Sequence, residues 1–114
     1  MLIVSRVVAA SLLFATLVFA LSAPDLAAAA DRRVRIINDS NTIVTHFYAS
    51  NTDRSSWEED ILGRSVLRAG RSSMINIDDG SGACMFDFRA VLANGRVVEA
   101  YGMNVCRIVS WTIR

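Results

Sequence analysis

From residue 33 onward, apolar and polar positions alternate with a period of two, and clusters of Gly, Asn, Asp and Ser interrupt the alternation. Half-buried strands joined by turns leave that pattern. Residues 33–38 (Arg-Val-Arg-Ile-Ile-Asn) set charged against β-branched side chains, and residues 42–49 (Thr-Ile-Val-Thr-His-Phe-Tyr-Ala) are rich in β-branched and aromatic ones. Across the polar turn 39–41 the two read as a hairpin. A third strand is expected over 72–78, followed by the turn Asp79-Gly80-Ser81-Gly82. A long strand over 83–93 meets Asn94-Gly95, the tightest hairpin signal in the chain, and returns over 96–103. A last alternating segment covers 107–113. Between the second and third strands, residues 56–63 carry a helix start and stop: Ser56 as N-cap, Glu58, Glu59 and Asp60 in the first turn, and Gly63 at the end. The expected class is all-β, a small antiparallel sandwich or sheet of about six to seven strands with one short helical turn.

The Asn94-Gly95 hairpin allows a register to be written down. A two-residue loop pairs Ala93 with Arg96, which sets Phe88 opposite Tyr101, Phe86 opposite Met103 and Cys84 opposite Val105. One face then gathers Cys84, Phe86, Phe88, Ala90 and Leu92 with Val97, Glu99, Tyr101, Met103 and Val105, and that face is the predicted core. Cys106 falls one residue past the partner of Cys84. A bulge near 102–104, most simply at Gly102, is expected to bring it opposite.

Charge and hydrophobicity are unevenly spread, and this alters how the chain is divided. The precursor is 53% hydrophobic with 12 basic and 11 acidic residues, and its mean hydropathy is +0.36. Only Arg6 and Asp25 are charged within the first 30 residues. Arg6, an uncharged run over 7–21, a break at Ser22-Ala23-Pro24 and small residues over 27–30 make a secretory signal peptide, with cleavage expected after Ala30. A membrane anchor fits less well, because 15 helical residues rise only about 22 Å against a hydrocarbon core of about 30 Å. The expected organisation is a cleaved leader at 1–30 and a single domain at 31–114, periplasmic or secreted, with no stable membrane anchor after cleavage. In that compartment Cys84 and Cys106, the only cysteines, read as a structural disulfide. The near balance of charge gives no basis for a nucleic-acid partner.

Candidate chemistry is sparse. His46 is the sole histidine, and no nucleophile or orienting acid is placed beside it, so no catalytic residues and no enzymatic activity are expected. Asp60, Asp78, Asp79 and Asp87 supply hard oxygens of the kind calcium takes, although Asp78-Asp79-Gly80-Ser81-Gly82 lacks the spacing of a calcium loop and reads first as a capped turn. Trp57 opens an irregular acidic segment, while Trp111 sits on the apolar side of its strand. All twelve basic residues are arginines; those at 64, 68 and 71 cluster beside the acidic segment. Trp57, Glu58, Asp60, Arg64 and Arg68 are therefore the expected partner contact.

The order Trp57-Glu58-Glu59-Asp60-Ile61-Leu62-Gly63, Asp78-Asp79-Gly80-Ser81-Gly82-x-Cys84-x2-Asp87-x-Arg89, Asn94-Gly95 and Asn104-Val105-Cys106 resembles a group of small exported bacterial proteins with two cysteines and no assigned function. The resemblance runs from about Arg33 to Ile113. Its motifs are turn and staple elements, and it implies an exported β-domain without implying an activity. The functional expectation is a non-enzymatic periplasmic or secreted module that binds an envelope protein or a glycan. The alternative is a calcium-dependent β-domain built on the acidic loops. Export makes a direct prediction: amino-terminal sequencing of the protein recovered outside the cytoplasm reads Asp31 first, and recovery of a chain still beginning at Met1 contradicts the leader.

Overall fold

The computed structural model describes residues 31–114; the expected signal peptide and its cleavage site fall at positions outside the described residues. Six strands form: β1 (Arg33–Asn38), β2 (Val44–Asn51), β3 (Ser72–Asn76), β4 (Met85–Leu92), β5 (Val97–Asn104) and β6 (Ser110–Ile113). They make two three-stranded sheets, ordered β3-β1-β6 and β2-β4-β5. The central strands show why. In β1, Val34, Ile36 and Asn38 point inward and Arg33 and Arg35 outward; in β4, Phe86, Phe88, Ala90 and Leu92 are buried while the residues between them are not. The sheets meet through aromatic rings, with Trp111 of β6 packed 5.3 Å from Phe88 and 6.1 Å from Phe47, and those two rings 5.5 Å apart.

Local patterning located the strands but not all their partners. β1 and β2 are not a hairpin: β1 pairs with β3 and β6, and β2 pairs with β4. The β1–β6 pairing is parallel, Arg35 beside Ser110 through Asn38 beside Ile113, within an otherwise antiparallel fold. The chain changes sheets between β1 and β2, and Asn38 fixes that passage. It is fully buried, and its amide Nδ2 donates to the carbonyls of Thr42 (2.8 Å) and Leu67 (2.9 Å). Its Oδ1 accepts from the Ser40 amide and hydroxyl, while its own backbone N–H and C=O pair with Arg71 and Gly70. Every polar group of this residue is satisfied, as burial demands.

The expected helical turn at 56–63 is absent. Glu58 adopts a positive φ of 61°, outside the helical region. Bonds to β2 hold the segment instead, the Phe47 amide donating to Asp60 Oδ1 (2.9 Å) and the Ile61 amide to the Phe47 carbonyl (2.8 Å), with only a local turn at 60–63 closed by the Gly63 amide on the Asp60 carbonyl. Together with a bridge between Val44 and Leu67, this segment covers the outer edge of β2.

The β4–β5 hairpin corrects the register in an informative way. The loop has three residues, 93–95, with the Leu92 amide donating to the Arg96 carbonyl and Gly95 at φ 89°. Val91 therefore faces Val97, Ala90 faces Val98 and Phe88 faces Ala100, one residue out of the expected phase. A bulge opposite Asp87 restores the phase, so that Phe86 faces Met103 and Met85 faces Asn104. Gly102 sits in the bulge at φ 64°, a conformation that favours glycine. Val98 and Ala100 take the inward places expected of Val97 and Tyr101; Tyr101 is 63% exposed. The Val105 amide still donates to the Cys84 carbonyl (2.8 Å). Cys106, in the turn that follows, closes the disulfide with Cys84 across a Cα separation of 5.3 Å. Closing a loop of this size contributes about 3 kcal/mol in the chain-entropy account.

Replacing Asn38 by Ala removes one donor from the Thr42 and Leu67 carbonyls and the acceptor of the Ser40 amide, while the Val44 amide still serves Leu67 and the Ser40 hydroxyl still serves Thr42. The expected loss is about 2 kcal/mol of unfolding free energy in urea melts, as for removal of a buried hydrogen-bonding side chain. A loss no larger than that of a surface Asn, such as Asn94→Ala, contradicts the role given to Asn38.

Candidate functional site

The outward face of β2-β4-β5 is where chemistry-bearing side chains collect, and a bulge on β2 and the loop length before β5 put them there. On β2, the register slips between Val44 and His46. Val44 and Phe47 both turn inward as a result, and His46 points outward beside Tyr48, rings stacked at 6.2 Å and 1° apart. On β5, the phase set by the three-residue loop turns Tyr101 outward, and the bulge that follows returns Met103 to the inner side. Across the three strands Tyr48 lies beside Arg89, and Arg89 beside Glu99, forming one transverse row.

Trp57 stands over this row. Its position follows from the loop after β2, which is tied down by Ser50 Oγ donating to the Ser56 carbonyl (2.7 Å) and by the Asp53 amide donating to Asn51 Oδ1 (2.9 Å). The Arg89 guanidinium carbon lies 5.8 Å from the centre of the Trp57 ring, and the Tyr101 ring centre lies 6.5 Å from it. Arg89 also donates to Glu99 Oε2 at 3.2 Å, and the Tyr101 hydroxyl donates to Glu99 Oε1. That bond, and the proximity of a negative charge, hold the Tyr101 phenol above its ordinary pKa. Glu99 thus braces both residues that flank the indole.

Trp57 is the ridge between two grooves. One is lined by Ser50, Arg54, Ser56, Trp57, Asp87 and Tyr101. The other runs past Tyr48, Glu58, Arg89 and Val91. A third, separate groove is acidic, bounded by Glu58, Glu59, Asp78 and Asp79.

The expected contact set is only partly brought together. Trp57 and Glu58 belong to the grooves just described. Asp60 does not: its Oδ1 accepts from the Phe47 and Leu62 amides, and so holds the loop against β2. Arg64 and Arg68 are exposed on the segment that runs on to Leu67, and they line none of these three grooves. The four aspartates considered for calcium each cap backbone. Asp78 accepts from the Gly80 amide and Asp87 from the Gly102 amide. Asp79 accepts from the Ser81 hydroxyl and amide, and the hydroxyl bond is the chief reason its carboxyl lies below the usual range. Among the described residues, no group of three or more His, Cys, Asp or Glu is placed to hold a metal ion.

Tyr101 and Arg89 were missed as site residues from the sequence alone. The register written for a two-residue loop sent Tyr101 to the core, and the only signal against it was the misplacement of Cys106. Trp111 packs between the sheets as its apolar neighbours implied. Among the described residues, no helix is long and apolar enough to cross a membrane. Comparison with protein-family models, with curated proteins and with solved structures finds no match to this chain.

The raised pKa fixes the sign of a titration. The bond from neutral Tyr101 to Glu99 is intact below the ordinary tyrosine value of about 10 and is lost only as pH rises through the higher folded value. With Tyr48→Phe making Tyr101 the sole tyrosine, ultraviolet titration places its midpoint above the ordinary value. Adding Glu99→Gln brings it down, and an unmoved midpoint contradicts the brace.

Proposed function

We propose that the exported chain is a non-enzymatic periplasmic or secreted binding module, and that it contacts its envelope partner through the outward face of β2-β4-β5 around Trp57. The carrying observation is the arrangement of Trp57, Arg89 and Tyr101: a half-buried indole flanked by a guanidinium and an exposed phenol, both held by Glu99. Aromatic and arginine side chains braced in place before contact lose little conformational freedom on binding, which is why they dominate recognition surfaces. Extracytoplasmic placement draws support from the disulfide, from the leader pattern, and from the resemblance to small exported two-cysteine proteins.

Binding is favoured over catalysis by the surroundings of His46. Its Nδ1 lies 3.0 Å from the Thr45 hydroxyl, but that hydroxyl donates to the Val91 carbonyl (3.1 Å), so its proton is committed elsewhere. A nucleophile activated by histidine needs the reverse arrangement. The calcium-dependent alternative gains no observation, since each of its aspartates already serves a backbone amide.

The test is capture from envelope extract by immobilised exported protein. Trp57→Ala and Tyr101→Ala each reduce capture of the same component about tenfold or more, as truncating a central contact residue does. Met74→Ala, on the opposite sheet, leaves it unchanged. Equal capture by all three variants overturns the assignment of this face.

A further inference from the structure

We propose that the groove bordered by Trp57 and Tyr101 is a saccharide subsite that takes a neutral pyranose ring. This rests on the binding role just proposed and names the ligand class. Two features of the groove point to it. The first is the aromatic rim: the Trp57 and Tyr101 rings, in contact with each other at 44° with centres 6.5 Å apart, both line the groove. A pyranose has one face of axial C–H bonds that packs on such a ring, while its hydroxyls lie around the rim.

The second feature is the polar floor. Asp87 uses Oδ1 to accept from the Gly102 amide (2.8 Å), which leaves Oδ2 to accept a bond from the groove. The Ser55 and Ser56 hydroxyls line the same space, and each both donates and accepts. Arg54 adds donors from the loop, and its charge is offset by Glu58 at 3.6 Å. With Arg54 offset by Glu58, the Asp87 carboxylate leaves the groove unfavourable to an anionic ligand. The lining groups present alternating donors and acceptors, the complement of vicinal hydroxyls, each of which gives and takes one hydrogen bond.

A peptide fits this groove less well. Addition of a strand requires unpaired backbone amides, and the amide at this point of β5, that of Gly102, is already taken by Asp87. The three-residue loop before β5 acquires a purpose in this light, since the phase it sets turns Tyr101 from the core side to the groove.

The experiment follows the Trp57 indole and Gly102 amide resonances of the exported protein while cellobiose, maltose or N,N′-diacetylchitobiose is added. At least one of these neutral disaccharides moves both signals saturably, with the Trp111 indole unmoved as internal control. Trp57→Ala and Tyr101→Ala each weaken that binding about tenfold, equivalent to about 1.4 kcal/mol. Asp87→Asn keeps an oxygen for the Gly102 amide but loses the charged acceptor, and weakens binding while the unfolding midpoint stays put. If no neutral disaccharide moves either signal up to its solubility, the saccharide subsite is overturned. Binding of a glucuronate-bearing disaccharide alone overturns the neutral assignment. Should capture of a protease-sensitive envelope component still depend on Trp57 and Tyr101, the binding face stands without the saccharide; should that fail as well, both readings fall.

Discussion

The fold depends on how the chain crosses between its two sheets, and one buried amide side chain governs the crossing. Asn38 ends β1 inside the molecule with no exposure to solvent. A buried primary amide without partners costs several kcal/mol, so such a residue persists only where its bonds are made for it. Here they tie three otherwise separate places: the 40–42 turn, Leu67 on the segment that bridges to β2, and the 70–71 turn that leads into β3. The neighbouring Asp39 amide donates to the Ile113 carbonyl (2.7 Å), which brings in β6 as well. Apolar packing is non-directional and tolerates sliding. It holds the sheets together, and Asn38 decides where one gives way to the other.

On the opposite sheet, β4 divides core from contact surface. Its inward residues Phe86, Phe88, Ala90 and Leu92 are closed off by Phe47 and Trp111, and its outward residues Asp87 and Arg89 form the floor beneath Trp57. Because a strand alternates strictly, a bulge or a change of loop length on a neighbouring strand decides which side chains accompany it. On β2 a bulge turns His46 outward, and on β5 the three-residue loop sets the phase that turns Tyr101 outward. The outward face thus gathers two polar aromatic rings through two separate adjustments of register.

What was legible in the sequence was whatever depended on neighbours a few residues apart. The strands around β1, β3, β4 and β5, the capped turn at 78–82 and the pairing of two cysteines all follow from local pattern and composition. What was not legible required addition of small offsets over distance. Asn94-Gly95 suits both a two-residue and a three-residue loop, and that single residue of difference moves Tyr101 from core to surface. The supposed β1–β2 hairpin failed because alternation reports burial and says nothing of the partner strand; Asn38, which sets the true connection, reads as one more turn residue. The supposed helical turn failed because Asp60, in place as a first-turn acid, caps the Phe47 amide thirteen residues away in sequence. Side-chain bonds to distant backbone leave no periodic trace.

The staple and the site are consequences of the same register. A three-residue loop carried without correction to the open end of the hairpin sets Cys84 opposite Asn104, two residues short of Cys106. The bulge at Tyr101 and Gly102 takes up one residue and sets Val105 opposite Cys84. The turn after β5, where the Cys106 amide donates to Asn104 Oδ1 (3.1 Å) and the Arg107 amide to the Asn104 carbonyl, brings Cys106 the remaining distance. A strand at the edge of a sheet has pairing on one side only, and its end is the first part to fray. The disulfide holds the end of β5 where a bulge has weakened its ladder, and that bulge carries Tyr101. Holding Tyr101 against Trp57 and Glu99 is therefore a task that the covalent link performs at a distance, without touching any of the three.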